Sequence, residues 1–459
     1  MSEASRPLAV LVAVRLPDVD AAESDASLDE LARLVTTLGY EVTARIVQAR
    51  ATLAPAAVLG EGKLKELAEL TGGSGSPHPV LPQAQRAEQR RRAQDDYDDY
   101  DDQDSDAPSP GETERPIALV ALDHDVSPSQ LRNLERACGV PVLDRTGIII
   151  EIFHRHARSR EAKLQVEIAR LAYEAPRLRE SPRGKERQQG RGAGEAALEL
   201  DRRRIRDRIA ELRSELAAVA REQDVRRQHR RGARRVALIG YTNAGKSSLM
   251  RALTSSDVYV EDKLFATLDT TVRALMPPSK PRILVSDTVG FIKKLPHDLV
   301  ASFKSTLDEA LEASLLLHVV DASDAGFRQQ LEVTRDVLRE IGALELPHRL
   351  VMNKIDQLGP EALAALQEEE PDAWFISAKD PADVASVRTR IIEFFESRYV
   401  EAELSIPYAL QRLVSEMHEQ GRVVSERYDE QGVTVLFRSD REVVEAFRAR
   451  LEKSERQNA

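Results

Sequence analysis

The sequence predicts an α/β protein in which a phosphate-loop domain (235–398) is preceded by a small α/β domain (1–145) and an antiparallel helical hairpin (146–234). A small α/β tail (399–459) follows it. Three observations predict this order. Short apolar runs alternate with helical patterns near the start, apolar residues then recur at coiled-coil spacing, and a glycine-rich motif joins an apolar strand to a helix.

The first domain alternates apolar strands with helical patterns. Ala9–Val14, Val42–Val47 and Ile117–Leu122 are short apolar runs, and Leu28–Leu38 has helical spacing. The stretch Gly60–Lys63 is partly similar to a phosphate loop but lacks the full spacing of that motif. A glycine turn before a helix is the favoured interpretation.

An acidic insert, about 73–115, interrupts this domain. Eight of the twelve residues 95–106 are aspartates. Such a composition cannot bury an apolar core, so it predicts a disordered segment. An insert that is tolerated without any role is the favoured interpretation.

The next segment is predicted to form two helices. One seam has the four-three-four-three spacing of a coiled coil, and it consists of Ile205, Ile209, Leu212, Leu216 and Val219. An earlier seam has related spacing and consists of Leu164, Ile168 and Leu171. Between them the chain is broken by Pro182, Gly184, Gly190, Gly192 and Gly194. This pattern predicts an antiparallel hairpin with a flexible tip.

The hairpin is strongly basic. Residues 155–235 contain 24 lysines and arginines against 13 aspartates and glutamates, a net charge of +11, whereas the whole chain carries −11. A solvated hairpin with paired charges is the alternative, but the cationic surplus favours contact with an RNA backbone, with salt-sensitive affinity. The tip has no aromatic residues for base stacking. The acidic insert could then compete with RNA for this surface.

A phosphate-loop motif follows the strand pattern Val236–Ile239. It consists of Gly240, Tyr241, Thr242, Asn243, Ala244, Gly245, Lys246 and Ser247, and it fits G-x-x-x-x-G-K-[ST]. The glycines let backbone N–H groups face phosphates at a helix N-terminus. Lys246 supplies a positive charge for the outer phosphates, and the Ser247 hydroxyl is a candidate Mg²⁺ ligand.

Three shorter motifs follow, each after an apolar strand pattern. They are Asp287, Thr288, Val289 and Gly290; Asn353, Lys354, Ile355 and Asp356; and Ser377, Ala378 and Lys379. Asp287 can support the metal shell, and Gly290 leaves room for a backbone N–H to approach the γ-phosphate.

The last two motifs select the base. The Asp356 carboxylate can accept two N–H bonds from the edge of guanine, a pair that adenine cannot donate. A site built on such bonds rejects the wrong base, because unpaired buried polar groups are costly. The segment Ser377–Lys379 would add a backbone amide. A kinase or ATPase would lack these two motifs, so the expected substrate is GTP.

The residue after Gly290 bears on the reaction rate. Many GTPases carry a glutamine there to orient the attacking water, whereas this chain has Phe291 and then Ile292. Neither can orient water, and no arginine finger can be assigned, so no catalytic residue is assigned. We expect a GTPase that is slow alone and is stimulated by a partner.

Composition restricts the environment of the protein. The single cysteine, Cys138, excludes a disulfide framework or cysteine metal cluster and fits a reducing cytosol. The N-terminus lacks the apolar core of a signal peptide, and no apolar run approaches the roughly 20 residues that span a membrane. We expect a cytoplasmic monomer.

The tail has the pattern of a small α/β unit without a chemical constellation. It comprises a strand at Ala402–Ile406, a helix at Ala409–Gln420, a strand at Gly432–Phe437 and a helix at Arg441–Lys453.

The chain resembles the HflX-type GTPases, a ribosome-associated family, from about residue 8 to about residue 450. The resemblance is carried by Gly240–Ser247, Leu264–Arg273 and Asp287–Ile292, together with Val58–Lys63 and Leu143–Thr146. Ala193 replaces the proline of a glycine-rich loop in the family, which is expected to loosen that loop. The tail resembles a partner-docking module.

The resemblance implies further site residues. Thr267, Thr270 and Thr271 are all possible Mg²⁺ ligands by composition, and the family pattern assigns this role to Thr267. It also adds to the nucleotide site Phe265, Ala266, Leu268 and Asp269. Asn243 is similar to the asparagine of potassium-dependent relatives, although it could be an ordinary turn residue.

The resemblance implies a GTP hydrolase that docks on RNA of the large ribosomal subunit through its N-terminal half. Its GTP-bound form would wedge the subunits apart, and hydrolysis would permit release. The alternative is a ribosome-binding occupancy or assembly factor gated by nucleotide, without splitting. An RNA-remodelling NTPase is a third possibility, which the absence of helicase motifs disfavours.

Overall fold

The computed structural model describes residues 6–77, 115–178, 193–228, 234–255, 264–265, 271–293 and 311–458. The chain divides into two compact units. The first comprises Met1–Arg155 with Val166–Leu212, and the second comprises His156–Gln165 with Arg213–Ala459. The acidic run 95–106 and the predicted hairpin tip 182–192 lie outside the described residues.

The first unit contains a parallel four-stranded sheet in the order β2-β1-β3-β4. Its strands are β1 (Leu8–Arg15), β2 (Glu41–Ala49), β3 (Ile117–Leu122) and β4 (Val142–Asp144). Its first helices are α1 (Ala21–Thr37), α2 (Glu61–Thr71) and α3 (Pro128–Cys138). The predicted α/β character of this region is confirmed.

Two details of the first unit agree with the sequence-based interpretation. Gly60 is the N-cap of α2, so the Gly60–Lys63 stretch is a turn before a helix. Cys138 lies in the hydrophobic core with Leu134 and Val142. Burial, with a smaller effect of Glu135, raises the pKa of the Cys138 thiol to about 12, so this thiol is an unreactive apolar filler.

A buried polar cluster surrounds Arg145. Its side chain, with the residue only 1% exposed, donates to Asp123 Oδ1 at 2.6 Å and also pairs with Glu30. Asp144 is fully buried and accepts from Tyr173 Oη at 2.7 Å. Buried charges are costly unless they are paired, so the Leu143–Thr146 stretch has a clear structural role.

Three further helices are α4 (Arg145–His156), α5 (Arg160–Glu174) and α6 (Ala193–Gln228). The last two correspond to the helices of the predicted hairpin. On α6, Leu212 is buried and the other four predicted seam residues are half-buried. Within the second unit, Arg160 of α5 lies 3.9 Å from Glu215 of α6. The domain boundaries themselves stay a prediction.

The second unit contains a six-stranded sheet in the order β10-β9-β8-β5-β7-β6, in which only β6 runs antiparallel. Its strands are β5 (Arg234–Ile239), β6 (Thr271–Ala274), β7 (Ile283–Asp287), β8 (Leu315–Asp321), β9 (His348–Asn353) and β10 (Trp374–Phe375). Its helices are α7 (Lys246–Thr254), α8 (Phe327–Glu340), α9 (Pro360–Glu369) and α10 (Pro381–Glu396).

Both faces of this sheet are covered, as a parallel sheet requires. Leu315, Leu317 and Val319 of β8 belong to one apolar cluster, whereas Val320 belongs to another. The carboxyl ends of β5, β7, β9 and β10 precede the four predicted motifs. The sheet therefore explains how segments distant in sequence can converge.

The tail forms an antiparallel sheet in the order β11-β13-β12 with two helices. Its elements are β11 (Val400–Pro407), α11 (Arg412–Gln420), β12 (Arg422–Tyr428), β13 (Gly432–Ser439) and α12 (Arg441–Asn458). The predicted tail lacked β12. Across the residues that the structure describes, no helix combines the length and apolar character needed to cross a membrane.

Candidate nucleotide site

The phosphate loop lies between β5 and α7. At two of its positions the backbone conformation and the surrounding atoms leave room only for glycine. Gly240 has φ +143°, and a Cβ there would lie 2.1 Å from the Val319 carbonyl oxygen. Gly245 has φ +94°, and a Cβ there would lie 2.2 Å from Asn353 Nδ2. Asn243 also has a positive φ of 61°, a conformation that asparagine adopts more readily than most residues.

Lys246 begins α7 and is buried, with 6% of its surface exposed. Its ammonium donates to the carbonyl oxygens of Gly240 at 3.0 Å and Tyr241 at 2.8 Å. Burial lowers the pKa of Lys246 to about 8, although Asp287 acts in the opposite direction. An anionic phosphate beside this ammonium would favour its charged form.

The donor set beside Lys246 fits a magnesium ion. Ser247 Oγ donates to Asp287 Oδ2 at 2.6 Å, which brings a hydroxyl and a carboxylate together at the start of α7. Mg²⁺ prefers such hard oxygen ligands and commonly takes one or two from the protein and others from phosphates. The structure thus brings the Ser247 hydroxyl next to the Asp287 carboxylate. Thr267 lies outside the described residues, as do Ala266, Leu268 and Asp269.

The second motif is attached to the phosphate loop through the backbone. Thr242 N donates to Phe291 O at 2.7 Å, and Phe291 N donates to Gly240 O at 3.1 Å. Tyr241 Oη accepts from Lys293 N at 2.7 Å. Phe291 is 3% exposed, so it serves as a buried anchor for the segment after Gly290.

Gly290 is tightly enclosed. A Cβ at this position would lie 2.7 Å from Thr242 Cα and 3.0 Å from Lys246 Nζ. Its backbone therefore approaches the loop and its lysine more closely than any side chain would allow. Thr288, which is fully buried, donates through Oγ1 to Leu238 O at 2.7 Å and anchors the motif to β5.

Asn353 connects the phosphate loop with the last motif. Its side-chain Nδ2 donates to Ala244 O at 2.9 Å, and its Oδ1 accepts from Ala378 N at 3.0 Å. The residue is 2% exposed. Lys354 has φ +64°, and its ammonium lies 2.6 Å from Asp321 Oδ2. Three of the four motifs are thus held in one network.

Asp356 is held by the last motif. Ser377 Oγ donates to its Oδ1 at 2.8 Å, and Lys379 Nζ lies 3.5 Å from its Oδ2. The Ser377 hydrogen bond, with a smaller contribution from Lys379, lowers the pKa of Asp356. An ionised and exposed carboxylate fits an acceptor for two base N–H groups.

One contact of the site was not foreseen from the sequence. His156, the last residue of α4, donates from Nδ1 to the carbonyl oxygen of Phe265 at 2.9 Å. Phe265 N in turn donates to Thr242 Oγ1 at 3.1 Å. A single histidine more than a hundred residues from Phe265 carries no motif that could have pointed to it.

Three family models match the chain. The model of a GTP-binding GTPase N-terminal region matches residues 25–93 and 112–154, and that of a GTP-binding GTPase middle region matches 156–230. The model of a 50S ribosome-binding GTPase matches 235–354.

Full-length relatives are also similar. GTPase HflX of Gluconacetobacter diazotrophicus is 59% identical over 438 residues, covering 94% of this chain and 95% of that protein. GTPase HflX of Escherichia coli is 37% identical over 417 residues, covering 89% and 88%. Among solved structures, the complex of SsGBP with GDP has a TM-score of 0.44 and 22% identity, covering 85% of this chain and 98% of that one.

Proposed function

The chain belongs to the HflX family of GTPases and is a GTPase; from this premise, we propose that it binds GTP and Mg²⁺ at the four converging motifs and acts on the ribosome. The observation that carries the nucleotide assignment is the Asn353 side chain. It joins Ala244 of the phosphate loop to Ala378 of the base-selecting segment. One buried amide thus couples the phosphate end of the site to its base end.

Each predicted residue has a role in this proposal. Lys246 and the loop N–H groups hold the phosphates, Asp356 accepts the guanine N–H pair, and Ser247 with Asp287 supports the metal. Thr267 remains the proposed second metal ligand. Mg²⁺ would neutralise charge on the phosphate oxygens, as it does in other phosphoryl-transfer enzymes.

Hydrolysis is proposed to be slow until a partner contributes to the site. The position after Gly290 carries Phe291, which is buried and bonded through its backbone to Gly240 and Thr242. A buried phenyl ring cannot orient water. A group supplied by the partner would therefore complete the site, as arginine fingers do in other GTPases.

Potassium is a further proposed cofactor, with Asn243 as its ligand. The positive φ of Asn243 also gives this residue a conformational role, so the two explanations make different predictions. If K⁺ binds there, replacing it by Na⁺ lowers GTP turnover. Equal turnover in the two salts would leave only the conformational role.

The large ribosomal subunit is the proposed partner. The family model that matches 235–354 is described as a 50S ribosome-binding GTPase, and the segment 155–235 carries a net charge of +11. On α6, Arg202 and Arg203 are exposed. Three other arginines of this helix form exposed ion pairs within it, and such pairs contribute little stability. They remain available to RNA phosphates.

In the proposed cycle, the GTP-bound form separates or remodels ribosomal subunits and hydrolysis permits release. This requires different ribosome affinities in the two nucleotide states, because a ligand shifts an equilibrium only through differential binding. The alternative is an occupancy or assembly factor, in which nucleotide gates docking without separation of subunits.

Sedimentation of intact ribosomes through a sucrose gradient distinguishes these functions. The purified chain is added with a non-hydrolysable GTP analogue or with GDP. If the subunits separate with the analogue but not with GDP, the result supports splitting. Intact ribosomes that carry the protein support the alternative. Protein that stays at the top of the gradient in both states contradicts ribosome binding.

The same assay tests the contribution of the basic helix α6 with a pair of variants. The double variant Arg202→Glu/Arg203→Glu is expected to weaken ribosome binding and to flatten its salt dependence. Arg390→Glu changes an exposed arginine of α10, outside both the basic segment and the tail, and is expected to bind like the unmodified chain. Equal binding by both variants would contradict docking through α6.

A further inference from the structure

Phe265 has an unusual backbone conformation. Its φ is +56°, in the left-handed region, and only 2% of its surface is exposed. Bulky residues seldom adopt this conformation, and it persists where surrounding contacts determine it. Two hydrogen bonds at Phe265 itself provide such contacts: its N–H donates to Thr242 Oγ1 at 3.1 Å, and its carbonyl accepts from His156 Nδ1 at 2.9 Å.

These bonds continue into the second motif. Thr242, which accepts from Phe265, also donates from its own backbone to Phe291 O at 2.7 Å. One loop residue therefore connects the segment before the second motif with the segment after Gly290. His156 lies at the outer end of this chain of bonds, and its Nδ1 bonds to Phe265 O, outside the four motifs.

We infer that His156 is a positioning residue for GTP hydrolysis, because it holds the Phe265 turn against Thr242 of the phosphate loop. The inference rests on the proposed function, in which Thr267, two residues after Phe265, is a metal ligand. The hydrogen bond between His156 and Phe265 helps to position the groups around the γ-phosphate that hydrolysis requires. It has little effect on binding of GDP, which lacks that phosphate.

The chemistry of the bond decides the test variants. A carbonyl oxygen only accepts, so His156 Nδ1 carries the proton, and a side-chain amide at the same place can also donate. His156→Asn therefore keeps a donor of similar reach, whereas His156→Ala removes it. His154 is an exposed histidine two positions earlier on the same helix, so His154→Ala is the matched control.

The experiment uses the full chain with Mg²⁺. Turnover of GTP and affinities for GDP and a non-hydrolysable GTP analogue are measured for the unmodified protein and the three variants. The loss of one hydrogen bond predicts a kcat about 3- to 10-fold lower in His156→Ala, with GDP affinity unchanged within about twofold. His156→Asn recovers most of kcat, and His154→Ala retains all of it.

Several results would overturn the inference. One is unchanged kcat in His156→Ala. Another is an equal loss of GDP and analogue affinity together with a lower melting temperature, which indicates only a structural role. If His156→Ala does not fold, an Asn variant that folds but has no more than about a tenth of the normal kcat contradicts the role of the donor. Failure of the unmodified chain to bind guanine nucleotides would instead refute the proposed function.

Discussion

Replacing Asn353 by alanine tests the connection between the two ends of the site. The change removes two hydrogen bonds, to Ala244 O at 2.9 Å and from Ala378 N at 3.0 Å, at a residue that is 2% exposed. Each bond contributes about 0.5–1.5 kcal/mol, and a buried carbonyl left unpaired at Ala244 adds roughly 1 kcal/mol or more. The expected total is about 2–4 kcal/mol.

In the variant, part of the binding free energy of the nucleotide is needed to order the site, which Asn353 already orders in the unmodified chain. Since each 1.4 kcal/mol corresponds to about a factor of ten, GDP affinity is expected to fall roughly 30- to 700-fold. Fluorescent GDP titration measures this directly, and circular dichroism confirms folding. Asn133→Ala removes a hydrogen bond, to Ala56 O at 2.7 Å, from a half-buried residue of the first unit, so it serves as the control.

A small effect would refute the reasoning. If folded Asn353→Ala binds GDP within about threefold of the unmodified chain, the amide does not organise the site, since the two lost bonds together should lower the affinity at least about fivefold. An equal loss in Asn133→Ala would point to a general loss of stability.

Three further predictions concern other parts of the chain. Burial lowers the pKa of His318 to about 3, so unfolding takes up a proton below about pH 6.5 and stability falls by up to about 1.4 kcal/mol per pH unit towards pH 3. His318→Leu should reduce the dependence of unfolding free energy on pH, measured by urea titrations that follow the fluorescence of Trp374, the single tryptophan. An unchanged pH dependence would contradict this prediction. Gly290→Ala places a Cβ 2.7 Å from Thr242 Cα, so GTP turnover should fall at least about tenfold while GDP still binds, and normal turnover would contradict the close approach. Arg145→Met removes the arginine that pairs with two buried carboxylates and should destabilise the first unit by about 3–5 kcal/mol; unchanged cleavage of this unit in limited proteolysis would contradict the prediction.

Elements with strong local patterns were predictable. The strand expected at Ile117–Leu122 has those bounds in the structure. The strand expected at Val42–Val47 is slightly longer, Glu41–Ala49. Short apolar runs flanked by polar turns are typical of strands, although only Ile46 of β2 is buried. The helix expected at Leu28–Leu38 begins earlier, at Ala21, because Asp20 caps it through Glu23 N.

Tertiary contacts decide two of the elements that were not predicted. β12 (Arg422–Tyr428) is a largely polar, exposed strand that forms by pairing with β13. α4 contains four isoleucines between residues 148 and 152, and β-branched residues disfavour helices. Ile148, Ile149 and Ile152 are 0–1% exposed, so burial outweighs the local preference.

The candidate site was predictable in its motifs but not in its supporting contacts. Gly240, Lys246, Ser247 and Asp287 belong to patterns whose chemistry requires those residue types. His156 belongs to no pattern, and its proposed role depends on the contact of its Nδ1 with the Phe265 carbonyl oxygen. Contacts between distant segments are not encoded in local spacing.

Base selection by Asp356 is the most direct test of the central claim that these four motifs form a guanine-nucleotide site. In Asp356→Asn, an amide replaces part of the carboxylate acceptor, and it can donate to the oxygen that xanthine carries where guanine has an amino group. Affinities for GTP and xanthosine triphosphate are measured for both proteins. The variant should lose GTP affinity by roughly two orders of magnitude and prefer xanthosine triphosphate. A variant that still prefers GTP, with near-normal affinity, would contradict the assignment.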